Sequence, residues 1–161
     1  MALTKTKKKE VLDSVEKIIK DSKTVVFVNF HGLKVADSTQ IRRKLKSEGV
    51  GFLVAKKTLT KRAFNSNKFT GTMPELDGEL GLAYSKDLTS PAREIYEFTK
   101  KYKNSLAILG GIFDGKYMTK LEMMDIALIP PIKTLHGMFV NIINSPIQGF
   151  VIALSEIGKK V

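Results

Sequence analysis

Apolar residues recur along this chain with two different periods, and the changes of period divide it into elements. Val11, Leu12, Val15, Ile18 and Ile19 fall on one helical face, which predicts an amphipathic helix over 5–21 with its lysines outward. The run 24–30, Thr-Val-Val-Phe-Val-Asn-Phe, has the continuous apolar character of a strand buried on both faces. Asp37 with Gln40 three residues on reads as a capping box for a helix over 38–48, which Gly49 stops. A second strand follows at 50–55, and Thr58 is the expected N-cap of a short helix ending at Phe64. The Gly, Asn and Thr of 65–78 predict a loop, and 80–85 a third strand. Ser90 as N-cap with Pro91 at the first helical position opens a helix that turns Ile95, Phe98 and Tyr102 inward. A fourth strand at 106–113 passes through a tight Asp114-Gly115 turn into 116–118. Thr119 with Glu122 repeats the capping box for a last helix, which Pro130 and Pro131 must end because a prolyl pair denies the preceding residues a helical conformation.

Strands alternating with helices predict an α/β fold: a layered strand–helix domain over 1–128, a proline-containing hinge over 129–133, and a separate C-terminal α-helical extension over 134–161. The extension contains a weak repeat at an offset of twelve. Residues 135–142 lie over 147–154 with apolar positions coinciding in five places and Gly137 over Gly149. Two such stripes on one helix, bent or straight at Pro146, present two equivalent docking sites for a protein partner. The alternative is a terminal helix folded back on its own domain, but a helix so poor in charge is a large exposed apolar patch until something covers it.

Composition adds constraints to this pattern. With 161 residues, 43% apolar and 27% charged, the chain has an ordinary globular balance, which excludes wholesale disorder. Zero cysteines exclude disulfides, thiolate metal sites and a cysteine nucleophile. The first residues run from lysines into the amphipathic pattern without an apolar signal segment, so the expected location is cytoplasmic. The net charge of +11 is segregated: residues 1–68 hold 17 Lys and Arg against 6 Asp and Glu, whereas 69–161 hold 10 of each. Basicity serving only solubility has no reason to gather at one end, and a surface that tracks phosphates does. Conversely, residues 134–155 carry no charge over 22 positions, enough to span a bilayer. His136, Asn141, Asn144, Pro146 and Gln148 interrupt that run, however, and are costly or awkward in lipid. A peripheral or tail-anchored membrane protein is thus the runner-up reading, and no membrane the preferred one.

No constellation points to catalysis or to a cofactor. His31 and His136 lie far apart, with no second ligand at metal-site spacing. Gly49-Val50-Gly51 begins like a dinucleotide fingerprint, but Val54 stands at the third position and the glycines precede a strand instead of following one. No phosphate-binding lysine loop or nucleophile elbow occurs. A small α/β enzyme built on an unrecognised carboxylate pair has no suggestive spacing to support it. The expectation is a non-enzyme without metal or cofactor.

The cations form three groups: Lys5, Lys7, Lys8 and Lys9 at the start of the first helix; Arg42, Arg43 and Lys46 on the second; Lys56, Lys57, Lys61 and Arg62 around the third. Convergence on one edge would make an RNA surface, with arginines as bidentate phosphate donors and Thr58 beside the free amides of a helix start. Phe27, Phe30, Phe52 and Phe64 are the aromatics of this region. The strand phenylalanines are expected in the core, so shape and backbone recognition is favoured over a stacking platform for single strands.

Several of these residues also resemble a known family. Val28-Asn29-Phe30-His31-Gly32-Leu33, then Ile41-Arg42-Arg43-Lys44-Leu45, then Phe52-Leu53-Val54-Ala55-Lys56-Lys57-Thr58-Leu59 resemble, in order and spacing, the bacterial large-subunit ribosomal protein number ten, the stalk-base protein. Ser145-Pro146-Ile147-Gln148-Gly149-Phe150-Val151 is similar to that family's stalk-binding tail. The resemblance covers essentially the whole chain and is most specific in its first third. It implies a non-catalytic N-terminal domain bound to large-subunit ribosomal RNA beside ribosomal protein number eleven. It also implies a C-terminal helix that carries dimers of the acidic stalk protein, two of them by the twelve-residue repeat, which recruit translational GTPases. The implied RNA-facing residues are Gly32, Leu33, Arg42, Arg43, Lys56 and Thr58, to which the charge pattern adds Lys7, Lys8, Lys9, Lys46, Lys57, Lys61 and Arg62. The expected partner face of the tail is Leu135, Met138, Phe139, Ile142, Ile143, Ile147, Phe150, Val151, Leu154 and Ile157. One departure stands out: Lys57 occupies a position where the family usually has Asn.

Overall fold

The structure, a computed structural model, describes residues 5–66, 69–102 and 105–160. In chain order the elements are α1 (Lys5–Asp21), β1 (Thr24–Asn29), α2 (Val35–Ser47), β2 (Gly51–Val54), α3 (Lys57–Ser66), β3 (Leu80–Ser85), α4 (Ser90–Lys101), β4 (Ala107–Phe113), β5 (Lys116–Met118), α5 (Lys120–Ala127) and α6 (Ile132–Lys160). The strands form one sheet in the order β2-β3-β1-β4-β5, with every neighbouring pair antiparallel. The mixed α/β class expected from the alternation is present.

The apolar run of β1 makes it the centre of the sheet, paired with β3 on one side and β4 on the other. Alternate residues serve opposite faces, because successive strand side chains point opposite ways. Val25 and Phe27 join α1 and α3 in a cluster with Val15, Ile19, Ala63, Phe64 and Leu82. Val26 and Val28 join α2, α4 and α5 in a second cluster with Ile41, Leu45, Ile95 and Met123. The fully buried rings of Phe27 and Phe64 meet edge to face at 5.2 Å and 79°, the geometry aromatic quadrupoles favour.

Several expected boundaries shift, each for a visible reason. No Asp37–Gln40 capping box forms: α2 starts at Val35 after an extended Lys34 (φ −65, ψ 148) and has no side-chain cap. Asp37 sits inside the first turn, where its Oδ1 accepts a hydrogen bond from the Tyr102 hydroxyl at 3.2 Å. Burial, and after it that carboxylate, raises the Tyr102 phenol above its ordinary value. Thr58 is not an N-cap either, since α3 already begins at Lys57 and runs two residues past Phe64 to Ser66. Ser90 is the first residue of α4, preceded by Thr89 as N-cap, and its hydroxyl donates to Asp87 at 3.2 Å. The strands are shorter at their ends than the apolar runs, with β1 stopping at Asn29, β2 spanning Gly51–Val54 and β4 starting at Ala107. Apolar residues continue past the last ladder bond wherever they still pack. The Thr119–Glu122 capping box does form, the Thr119 amide donating to Glu122 at 2.8 Å, and the Asp114–Gly115 turn has positive φ at both residues (47 and 79), which suits a tight hairpin.

One ionic tie joins α2 to α4. Lys44 Nζ lies 3.0 Å from Glu97 and 3.6 Å from the buried Glu94, whose other oxygen is 3.6 Å from Arg93. The hydrogen bond to Glu97, ahead of the Glu94 charge, raises the Lys44 pKa above its ordinary value.

By its internal contacts the chain divides into two units, Met1–Ile129 and Pro130–Val161. The second is a single helix, α6, which is continuous through Pro146. Every described side chain from 131 to 159 is exposed, including Phe139 at 65% and Phe150 at 66%.

Two measurements test these contacts. Lys44→Met leaves the buried Glu94 facing only Arg93 and should cost about 2 kcal/mol in urea unfolding, a loss largely recovered by adding Glu94→Gln; equal stability of the single variant and the native chain contradicts the tie. Glu122 has its pKa lowered by its bond to the Thr119 amide, so its contribution is present above its ordinary value of 4.5 and is lost as pH falls through the lowered one. Glu122→Gln should therefore melt lower than the native chain at pH 7 and together with it at strongly acid pH. A constant offset across that range would show that the carboxylate charge is not involved.

Candidate nucleic-acid interface

The three basic groups start from different layers. Lys7, Lys8 and Lys9 on α1, and Lys61 and Arg62 on α3, are exposed on helices that cover one face of the sheet. Arg42, Arg43 and Lys46 are exposed on α2, which covers the other. In the chain α2 precedes and α3 follows β2, an edge strand of the sheet. Ile41 and Leu45 point inward, so at 100° per residue Arg42 and Lys46 share the same flank of α2 and Arg43 lies further round. Lys44 leans to the opposite flank and is engaged by Glu94 and Glu97.

At the C-terminal end of β2 a cavity of about 730 Å³ opens between α1, α3 and the segment after β1, lined by Val11, Phe30, Val54, Ala55, Lys56, Lys57, Thr58, Leu59, Gly78, Glu79 and Leu80. Lys7 stands one turn before Val11 on the same face of α1. Lys57 and Thr58 are the first residues of α3, so their amides precede any intrahelical acceptor. Thr58 and Lys56 are exposed and Lys57 is half-buried.

The starts of α1 and α3 carry no compensating carboxylate, as is also true of α4 and α6. A helix N-terminus is the positive end of the backbone dipole and favours acidic side chains by a few tenths of a kcal/mol each. The first turns of α1 and α3 contain no acidic residue and carry lysines. In contrast, α5 starts with Glu122. The lysines of α1 and α3 therefore weaken their own helices while concentrating positive potential where an external anion can use it.

Phe30 and Phe52 correct an expectation. Both are half-buried instead of lying in the core, whereas Phe27 and Phe64 are fully buried. Phe30 follows the last paired residue of β1, and Phe52 lies on the edge strand, so neighbouring elements do not fully cover them. The rings meet edge to face at 6.4 Å, and the Arg42 guanidinium lies over Phe52 at 5.8 Å from its centroid. This ladder joins the α2 cations to the cavity wall. Sequence reasoning had no comparable signal for it, since the apolar run at 50–55 is as long as that at 80–85 and only the strand order makes β2 an edge. Gly32 (φ +76) is exposed with open space around its Cα, so this conformation favours glycine, and the Leu33 amide donates to the Phe30 carbonyl at 3.4 Å.

The histidines take no part in such a cluster. His31 lies 4.0 Å from Glu79, and His136 is on α6. Among the described residues, no group of three His, Cys, Asp or Glu side chains is placed to hold a metal ion.

Taken by itself, α6 spreads apolar residues over more than half its circumference. Leu135, Met138, Phe139, Ile142, Ile143, Ile147, Phe150, Val151, Leu154 and Ile157 are all exposed, while Thr134, Asn141, Gln148 and Lys159 lie along the opposite strip. By length and composition it is also long and apolar enough to cross a membrane.

Comparison with known proteins matches residues 3–100 to the family described as ribosomal protein L10. The large ribosomal subunit protein uL10 of Carboxydothermus hydrogenoformans is 36% identical over 154 residues, 95% of this chain and 87% of that protein. The uL10 of Bacillus licheniformis is 30% identical over 154 residues, covering 95% of this chain and 92% of the relative. That of Oceanobacillus iheyensis is 30% identical over 155 residues, with 96% and 93% covered.

Proposed function

The chain belongs to the ribosomal protein L10 family, whose members are structural components of the cytoplasmic large ribosomal subunit and not enzymes, and from that premise we propose a division of labour between its two units. Residues 1–129 bind large-subunit ribosomal RNA at the base of the stalk, beside ribosomal protein number eleven. The α6 helix anchors dimers of the acidic stalk protein, through which translational GTPases are recruited.

The observation that carries the RNA half is the cavity at the start of α3, lined by Lys56 and Lys57, with Arg42 held over Phe52. Phosphates supply the missing negative charge. In this arrangement Arg42, Arg43, Lys46, Lys56, Lys57, Lys61 and Arg62 act with Lys7, Lys8 and Lys9 as phosphate contacts, and Gly32 and Leu33 let the chain approach the RNA backbone closely.

The protein half rests on the exposed apolar circumference of α6. Its twelve-residue repeat sets two equivalent stripes about 18 Å apart along the axis and about 120° around it, on either side of Pro146. Each stripe suits one dimer. Lipid is the competing cover, favoured by helix length and opposed by Asn141, Asn144 and Gln148 within the span.

Replacing Arg42, Arg43 and Lys56 together with Ala should weaken RNA binding and reduce the slope of log K against log salt by about one unit per lost phosphate contact. An unchanged slope places the RNA face elsewhere. For the tail, native mass spectrometry with the acidic stalk protein should show two dimers per chain, and liposome flotation should leave the chain unbound. One or three dimers contradict the repeat argument, and flotation with the lipid contradicts the protein-anchor reading.

A further inference from the structure

We infer that the cavity at the end of β2 takes one unstacked nucleobase of the bound RNA, with that nucleotide's phosphate held at the start of α3. This rests on the RNA-binding reading above. It goes beyond that reading because phosphate contacts alone need no cavity.

The cavity is built for a flat, weakly polar group joined to an anion. It is a wide-mouthed groove of about 730 Å³. Phe30, Val54, Ala55 and Leu80 give it an apolar wall. The Phe30 ring is half-buried and held edge-on to Phe52, which fixes its plane before any ligand arrives. At the rim stand Lys56, Lys57 and Thr58, with the α3 amides of the last two still before the first intrahelical acceptor. A nucleotide satisfies both halves at once: the base buries its faces on the apolar wall, and the phosphate meets the amides and lysines. Glu79 also lines the cavity, its carboxylate exposed 4.0 Å from His31; a carboxylate there disfavours a phosphate on that side and accepts readily from an exocyclic amino group of a base. Orientation follows, with the base toward Glu79 and the phosphate toward Lys57.

Charge complementarity favours this occupant over a peptide side chain. The surrounding surface belongs to the basic part of the chain, where residues 1–68 hold 17 Lys and Arg against 6 Asp and Glu.

Val54 is 43% exposed on the edge strand, so Val54→Trp can fill the cavity without removing a cation or a buried core residue. Full-length Val54→Trp is titrated with large-subunit RNA over a range of salt. Binding should weaken about ten-fold, the scale of one lost base stack, with the salt slope unchanged. Ultraviolet cross-linking of the unaltered chain to the same RNA, read by mass spectrometry, should place a single nucleotide on Phe30 or its immediate neighbours in the cavity, and this arm stands even if the variant does not fold. Native affinity for Val54→Trp, cross-links confined to other surfaces, or a neighbouring protein recovered at Phe30 in assembled subunits overturns the pocket and leaves RNA binding intact. Failure of the unaltered chain to bind the RNA at all overturns the underlying reading instead.

Discussion

Lysines at the positive ends of helices are the constraint on which the rest of this structure turns. α1 and α3 both begin with cations where the backbone dipole favours carboxylates; α4 and α6 likewise lack an acidic first turn, whereas α2 and α5 carry Asp37 and Glu122 there. Local rules are broken in proteins chiefly where another requirement outweighs them. In the proposed function that requirement is the phosphate backbone of the bound RNA. α1 and α3 pack in one layer.

The sheet gives those cations their positions. A central β1 buried on both faces leaves two layers of helices and an edge strand, β2, at the border between them. Because β2 lies between α2 and α3 in the chain, Arg42 and Lys57 flank the same border although their helices lie in different layers. Edge position also leaves Phe52 half-covered and available to Arg42. The Lys44–Glu94 tie shows the complementary choice, in which a cation of α2 is satisfied internally by α4.

Much of this was legible without coordinates. Period changes located every strand and helix within a few residues, because each apolar stripe serves one core face and such stripes are not ambiguous over ten or more positions. Cap positions were less legible. Thr119 and Glu122 formed their box, but Asp37 found Tyr102, a partner 65 residues away that no local pattern records. The same limit hid the edge-strand aromatics. Phe27 and Phe52 look alike in sequence, and only the strand order decides that one is covered on both faces and the other is not. Charge segregation and the uncharged tail needed no tertiary information at all.

The proposed division gives the molecule two covers, a polyanion over its basic residues and a protein over α6. Co-sedimentation of the full chain and of residues 1–129 with large subunits, in the presence of the acidic stalk protein, tests that division most directly. Both forms should pellet with the subunit, and only the full chain should carry stalk protein with it. Stalk protein pelleting equally with the 1–129 form, or loss of subunit binding on removing α6, would contradict the account.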